Sequence, residues 1–239
     1  LGVPTERCDD LLRWSNSMVA MYQSNRSYET ELAANQATID FTQFLESYIV
    51  HRRKNLRSDL LSHLITAADE ENKLTNAELV STIILLLNAG HEATVHTLGN
   101  ALNTLLPTPH RSITPDLIEE VLRFDPPLHV FTRHAYKNIQ CFGHVIEKGQ
   151  EVACVLASAN RDPAFLENPN DFNPLRKPLQ HQSFGAGIHF CVGAPLARLE
   201  IKLGLKTLFE RLPALKKKSS AIYGNTYHFH GLESLMVEC

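Results

Sequence analysis

The sequence predicts a mainly α fold with small β elements, and three observations carry that expectation. Apolar residues recur at helical spacing through most of the first hundred positions. A capping box, Thr75 followed by Glu78, opens a stretch with no Pro before Pro107, room for a helix of about 30 residues. Between Thr132 and Leu156, short alternating segments are separated by Gly143 and by Lys148-Gly149, the pattern of strands and turns.

The elements follow in order. Thr5–Met21 places Leu11, Leu12, Trp14, Met18 and Val19 on a helical stripe. Glu31–Lys54 repeats the stripe with Leu32, Ile39, Phe41, Phe44, Leu45 and Tyr48. It closes on His51-Arg52-Arg53-Lys54, cations suited to the negative end of a helix dipole. The basic run Arg52–Arg57 reads as a solvated helix end rather than a binding patch. A shorter helix covers Ser58–Ala68.

In the long helix after Thr75, Leu79–Leu87 is apolar nearly all round, so it is expected to cross a protein interior. Asn88-Ala89-Gly90-His91-Glu92-Ala93-Thr94 sits in its middle. Gly inside a helix costs about 1 kcal/mol relative to Ala. With the charge of Glu92 two residues on, this pattern marks a site more than scaffolding.

Thr114-Pro115 starts the next helix, an N-cap followed by Pro at the first helical position. It carries Glu120 and Arg123 on one face and stops at Asp125-Pro126-Pro127. Strands are expected at Thr132–Ala135, Ile139–Phe142, His144–Ile146 and Glu151–Leu156. A Pro- and Asn-rich meander runs from Asn160-Arg161-Asp162-Pro163 to His181, and a last helix from Ala194-Pro195 to Leu212, before Pro213. Neither an internal repeat nor a linker divides the chain, so residues 1–239 read as one domain.

Composition narrows the function. Apolar residues are 44% of the 239, charged residues 21%, and the net charge is −3. These are ordinary globular values, and the charge argues against a nucleic-acid partner. The longest apolar run, Ile83–Leu87, is far short of the roughly 20 residues that span a bilayer. The chain opens with no charged-then-apolar leader, so neither secretion nor a membrane is expected. Five widely spaced cysteines (Cys8, Cys141, Cys154, Cys191, Cys239) form no CxxC pair, which excludes a zinc ribbon and a thioredoxin-type motif. A reduced, cytoplasmic protein is expected.

The informative segment is Phe184-Gly-Ala-Gly-Ile-His-Phe-Cys191-Val-Gly193. Gly185, Gly187 and Gly193 let the backbone bend tightly and approach something large and flat. Cys191 falls just before a helix N-terminus, where N–H groups and the dipole favour a thiolate. A thiolate so presented is a metal ligand or a nucleophile. Only His189 is adjacent and no second Cys is close, so a tetrahedral zinc site is not available. A single axial thiolate suits haem iron, whose equatorial ligands come from the macrocycle.

This loop resembles the haem-thiolate signature of the cytochrome P-450 monooxygenases, Phe-x-x-Gly-x-His/Arg-x-Cys-x-Gly, at every defined position. Three further motifs resemble the same family in the same order. Ala89-Gly-His-Glu-Ala-Thr94 is similar to the oxygen-activating segment of its long central helix. Glu120-Val-Leu-Arg123 is similar to its Glu-x-x-Arg helix, and Asn160-Arg-Asp-Pro through Arg176 to its meander. The resemblance is to the soluble bacterial type. It implies the cytochrome P-450 fold, here the larger C-terminal, haem-binding part: a long central helix, a Cys-ligand loop and the helix after it.

The resemblance also implies roles. Cys191 would be the proximal iron ligand of haem b (iron protoporphyrin IX), favouring O–O cleavage by electron donation. His189 and Arg133 would bind the haem propionates. Phe184 would pack beneath the porphyrin near the thiolate, with Gly185 and Gly193 shaping the loop. Ala89 and Gly90 would leave room for dioxygen and substrate, and Glu92, with Ala93 and Thr94, would form the proton-delivery region. Glu120, Arg123 and Arg176 would be a structural triad rather than catalytic groups.

The implied activity is insertion of one oxygen atom of O2 into a small or medium apolar substrate. Electrons would come from a ferredoxin or similar donor with its reductase, docking near Arg198, Lys202 and Lys206. His129, Val130, Phe131, Leu86 and Leu87 are candidates for the pocket wall. The alternative is a non-catalytic or degenerate haem-binding protein.

Two departures from the family stand out. The family usually has Thr after the acidic residue, whereas here Ala93 follows Glu92. Thr94 is one place later, about 100° around the helix, and does not replace that hydroxyl. The chain also reads as N-terminally incomplete. Only 27 residues separate Glu92 from Glu120, implying a missing helix or loop around Pro107–Ser112.

Overall fold

The structure, a computed structural model, describes residues 1–23, 26–69, 73–177, 180–226 and 228–239. They form two compact units, Leu1–Glu92 and Ala93–Cys239.

In the first unit a single 3-10 turn, Thr5–Arg7, leads into α1 (Cys8–Val19), followed by α2 (Tyr28–Arg53) and α3 (Leu60–Asp69). The long helix α4 (Asn76–Leu105) begins here and continues into the second unit. Local chemistry sets the helix starts. Ser27 accepts a bond from the Thr30 amide at the N-cap of α2. Glu78 accepts from the Thr75 amide while the Thr75 hydroxyl accepts from the Glu78 amide, the reciprocal bonds of a capping box.

Trp14 of α1 stacks on Phe41 of α2, and Leu45, Ile49, Leu61, Ile65, Leu79 and Ile83 complete this core. The apolar run of α4 is buried on one face only. Leu79, Val80, Ile83 and Ile84 are covered, whereas Leu85 is 62% exposed. The expectation of burial all round is corrected to that extent. A second correction concerns Arg52, which is fully buried rather than solvated. Its guanidinium donates to Asp59, Ser62, the Tyr48 hydroxyl and the Gly2 carbonyl. That arrangement holds the Asp59 carboxyl at about 2, against an ordinary 3.8.

The second unit contains the remainder of α4, α5 (Pro115–Phe124), a one-turn α6 (Leu156–Ala159) and α7 (Ala194–Arg211). Thr114 caps α5 by accepting from the Leu117 amide. Ala101, Leu105, Leu117, Val121, Ile201, Leu205 and Phe209 form a core among α4, α5 and α7. Among the described residues the sheets are four antiparallel pairs. β1 (Val130–His134) pairs with β4 (Glu151–Val155), and β2 (Ile139–Cys141) with β3 (His144–Ile146). β5 (Lys216–Lys217) pairs with β8 (Val237–Glu238), and β6 (Ile222–Tyr223) with β7 (Leu232–Ser234). The β2–β3 turn is Phe142-Gly143, both at positive φ, the geometry of a two-residue type I′ hairpin.

The short connection from α4 to α5 is closed by Arg111. Its guanidinium donates to the carbonyls of Leu105, Leu106, Thr108 and His110 and lies over the Phe209 ring. The Leu105 carbonyl at the helix end, with three carbonyls of the turn after it, thus gains a cationic partner suited to the helix dipole. Among the described residues, no helix is long and apolar enough to cross a membrane.

Candidate functional site

The Cys191 loop is a folded object in its own right. Gly185 and Gly187 occupy the left-handed region, φ +68° and +66°, which a residue with a Cβ enters only with strain. The Gly185 amide donates to the Gln182 carbonyl, and the Cys191 amide donates to the Phe184 carbonyl at 2.9 Å, closing the bend. The Ala194 amide donates back to the Cys191 carbonyl, and Gly193 is the N-cap of α7. Cys191 therefore stands at the positive end of an 18-residue helix.

Around Cys191 the loop is apolar and uncovered. Ile188 is 96% exposed and Val192 88% exposed, with Phe190 between them half-exposed. Alternate exposed apolar side chains beside a sulfur donor fit an apolar group laid over the loop. The donor set points the same way. Among the described residues, the only three potential ligands brought within reach of one another are Asp125, His129 and His230. Cys191 is not among them, so a metal held there takes one sulfur from the chain and needs further ligands carried by a macrocycle. The residues present fit haem.

The loop is anchored to α5 by side chains that motif spacing alone does not reveal. Ser183 is buried. Its hydroxyl donates to the Leu122 carbonyl and accepts from the Asn160 amide side chain, whose oxygen accepts from the Gln182 amide. Glu119 of α5 accepts two bonds from Arg198 of α7, at 2.6 and 2.8 Å, and one contact from His181 at 3.1 Å. Burial opposes ionisation of Glu119, but these partners outweigh it and hold the carboxyl at about 2. Arg198 also lies 4.6 Å from the Phe184 ring and interacts favourably with the nearby Cys191. Arg198 is thus committed within the site. Lys202 and Lys206, on the same helix, are exposed.

Behind the loop, Glu120 and Arg123 are fully buried and joined by two 2.7 Å bonds. Arg176 reaches Glu120 at 3.8 Å. The three expected triad residues meet.

Elsewhere the expected site residues are placed as follows. His189 is exposed in the loop, and Arg133 is exposed on β1, over the Phe131 ring and donating to the Thr132 carbonyl. Thr94 donates to Glu200 of α7 at 3.5 Å. Ala89, Gly90 and Glu92 belong to the first unit. Glu92 lies 3.2 Å from His91 Nε2, and His91 Nδ1 lies 3.2 Å from the Leu87 carbonyl. With acceptors at both nitrogens, and Glu92 the stronger influence, the imidazole holds its proton more firmly than usual. A Cβ added to Gly90 would meet no neighbour, so crowding does not explain that glycine.

His129, a pocket-wall candidate, stacks on His230 at 4.2 Å. His230 contacts Asp125 at 3.1 Å, and burial with the adjacent Asp125 pushes Tyr223 up to about 12. This cluster was not legible in the sequence, because His230 is a hundred residues from its partners.

Comparison with known proteins accords with this geometry. The family model described as Cytochrome P450 matches residues 15–112 and 108–220, its two segments meeting at the Arg111 connection. The biotin biosynthesis cytochrome P450 of Bacillus subtilis is 35% identical over 99% of this chain and 62% of its own length. The polyketide biosynthesis cytochrome P450 PksS of the same organism is 36% identical over 99% of this chain and 60% of its own. A crystal structure of P450BioI with an acyl carrier protein ligated to hexadec-9Z-enoic acid aligns with a TM-score of 0.92 at 34% identity, covering 99% of this chain and 63% of that one. The chain spans about three fifths of the length of the curated relatives it matches. Members of this family bind haem as iron protoporphyrin IX. The matched segments, the fold and the Cys191 loop agree, and the chain belongs to the cytochrome P450 family.

Proposed function

We propose that this chain is the haem-carrying part of a haem-thiolate monooxygenase. The overall reaction places one oxygen atom of O2 in a small or medium apolar organic substrate and reduces the other to water. Two electrons and two protons are consumed, the electrons arriving from a ferredoxin or similar donor with its reductase. The carrying observation is Cys191, presented on a glycine bend at the N-terminus of α7 with an uncovered apolar surround. The hexadecenoic acid named with P450BioI is in keeping with an apolar substrate. The five free cysteines suit a reducing cytoplasm.

When bound, the haem supplies oxygen activation and one-electron transfer. The chain's own groups do the rest. Cys191 is the sulfur ligand, with the Arg198 charge nearby. His189 and Arg133 bind the macrocycle's carboxylates through charge-assisted bonds. Phe184, fixed by Arg198, supports the ring, and Gly185 and Gly193 allow its close approach. Ala89 and Gly90 leave space on α4 for dioxygen and substrate. Glu92, 3.2 Å from a His91 that holds its proton more firmly than usual, serves the proton-delivery region. Ala93 has no hydroxyl and Thr94 is turned to Glu200, so ordered water or a substrate hydroxyl completes the relay. Arg198, Lys202 and Lys206 on α7 form the electron-donor face.

The test is the difference spectrum of dithionite-reduced, haemin-reconstituted protein with and without carbon monoxide. A strongly red-shifted Soret band, abolished in Cys191→Ser, is expected. A band at the position of His-ligated haem would overturn the assignment of Cys191. The lack of a hydroxyl at Ala93 favours a second reading, a haem binder without turnover. The red-shifted band with no product from a ferredoxin system would select it.

A further inference from the structure

We propose that Asp125, His129 and His230 form a second, haem-independent metal site for a zinc-class divalent cation. Each residue offers one ligand atom, and the three atoms lie within 4.8 Å of one another. Two imidazoles and a carboxylate are the donor set preferred by Zn2+ and its borderline neighbours. The pair already closest, Asp125 Oδ1 and His230 Nε2, is separated by 3.1 Å. Two ligands of a tetrahedral zinc ion are about 3.3 Å apart, from metal–ligand bonds of 2.0–2.1 Å. The third donor, on His129, lies within 4.8 Å of the other two. Asp125 and His230 are only partly exposed, 17% and 25%, which gives an ion entry without full hydration.

The surroundings orient these ligands as an outer shell does in a metal site. The Tyr223 hydroxyl donates to Asp125 Oδ2 at 2.8 Å, leaving Oδ1 as the ligating oxygen. The Asn103 amide donates to that hydroxyl in turn. The His230 ring is held between His129 and Tyr223, at 4.2 and 4.4 Å and nearly parallel to both. The Asn100 side chain donates to the carbonyls of both Asp125 and His230, fixing the two backbones side by side. The His230 amide donates to the Pro127 carbonyl at 2.7 Å. A bound ion clips the end of α5 and the start of β1 to the β6–β7 hairpin, segments about a hundred residues apart in sequence. Its role is that of a brace, with solvent as the fourth ligand.

The test uses the full chain, stripped of metal and without haem, titrated with Zn2+ against a chromophoric chelator. One ion per chain is expected, with a dissociation constant on the order of micromolar or tighter. His129→Gln and His230→Gln should each weaken binding at least tenfold, whereas Cys191→Ala leaves it unchanged. The thermal midpoint of the wild type should rise with Zn2+ and that of either His variant should not. Equal affinity in wild type and both His variants overturns the proposal, as does the absence of binding below millimolar Zn2+. If the variants do not fold, zinc-edge X-ray absorption on the loaded wild type decides. Imidazole nitrogens at about 2.0 Å support the site, and sulfur at about 2.3 Å assigns the ion to a cysteine and overturns it. Because the test needs no haem, its result is separate from that of the carbon monoxide spectrum.

Discussion

Arg123 and Glu120 are joined by two parallel bonds of 2.7 Å at a point where neither side chain touches solvent. The remaining Arg123 donors reach the carbonyls of Asn160, Pro169 and Asp171, and Glu120 accepts from the Asn173 amide. One turn of α5 therefore holds the meander at Asn160, Pro169, Asp171 and Asn173. Removing one partner leaves a buried, uncompensated charge, a loss of about 3–5 kcal/mol. Arg123→Lys should be nearly as harmful as Arg123→Ala, because an ammonium cannot reproduce the planar fork. Urea unfolding followed by circular dichroism checks this; a loss below about 1 kcal/mol for both variants would show that the pair is not structural.

Glu119, next along the same helix, gives the site a pH dependence. Its carboxyl ionises at about 2 in the folded chain and at an ordinary 4.5 when unfolded. The unfolded state thus binds more protons over that interval, so the stabilisation is full above about pH 4.5 and declines toward pH 2. The stability difference between wild type and Glu119→Gln should shrink as pH falls through this window. Arg198→Ala should flatten the wild-type slope, since it removes the stronger of the two partners. Denaturant midpoints across a pH series make the comparison. A difference independent of pH between 4.5 and 2 would contradict it.

The helices were legible because their signals are local. Thr75 with Glu78 and Thr114 with Pro115 mark helix starts, and these helices begin within a residue or two of their expected positions; the Ser27 cap of α2, ahead of the expected start at Glu31, went unread. The Cys191 loop was legible because left-handed backbone leaves glycines in the sequence. What stayed hidden depends on contacts between distant segments. Arg52 reads as one of four cations at a helix end, and only Asp59, Ser62 and the Gly2 carbonyl, brought together by folding, make it a buried residue. Glu119 has no part in the sequence reading; only Arg198 and His181, brought beside it by folding, give it one. The two-residue β5, β6 and β8 are too short to show periodicity, and with them the position of His230 was lost.

Arg111 shows how the short α4–α5 connection is tolerated. Its guanidinium reaches four carbonyls, that of Leu105 at the end of α4 and those of Leu106, Thr108 and His110 in the turn beyond it. Arg111→Ala should cost about 1–3 kcal/mol by leaving part-buried carbonyls unpaired. It should also fray the turn locally. Amide exchange at Leu106 and Thr108, whose N–H groups donate to Leu102 and Leu105, should accelerate more than exchange at Leu117 or Ile118 in α5. Uniform acceleration along both helices would instead mean that Arg111 supports the unit globally rather than this end of α4.

Gly90 offers the sharpest separation of stability from function. It lies inside α4, where Gly is about 1 kcal/mol worse than Ala. A Cβ at this position meets no neighbouring atom, so Gly90→Ala carries no steric penalty within the chain. The variant should therefore be more stable than wild type by about 0.5–1 kcal/mol, read from thermal or denaturant midpoints. A residue that lowers stability without a packing reason is expected where activity needs the space. If Gly90 keeps room for dioxygen and substrate, the stabilised variant should bind an apolar substrate more weakly in a spectral titration of the haem-loaded protein. Its carbon monoxide spectrum should be unchanged, because the Cys191 loop is untouched. A variant that gains stability and binds substrate as wild type would reduce Gly90 to an unoptimised helix position.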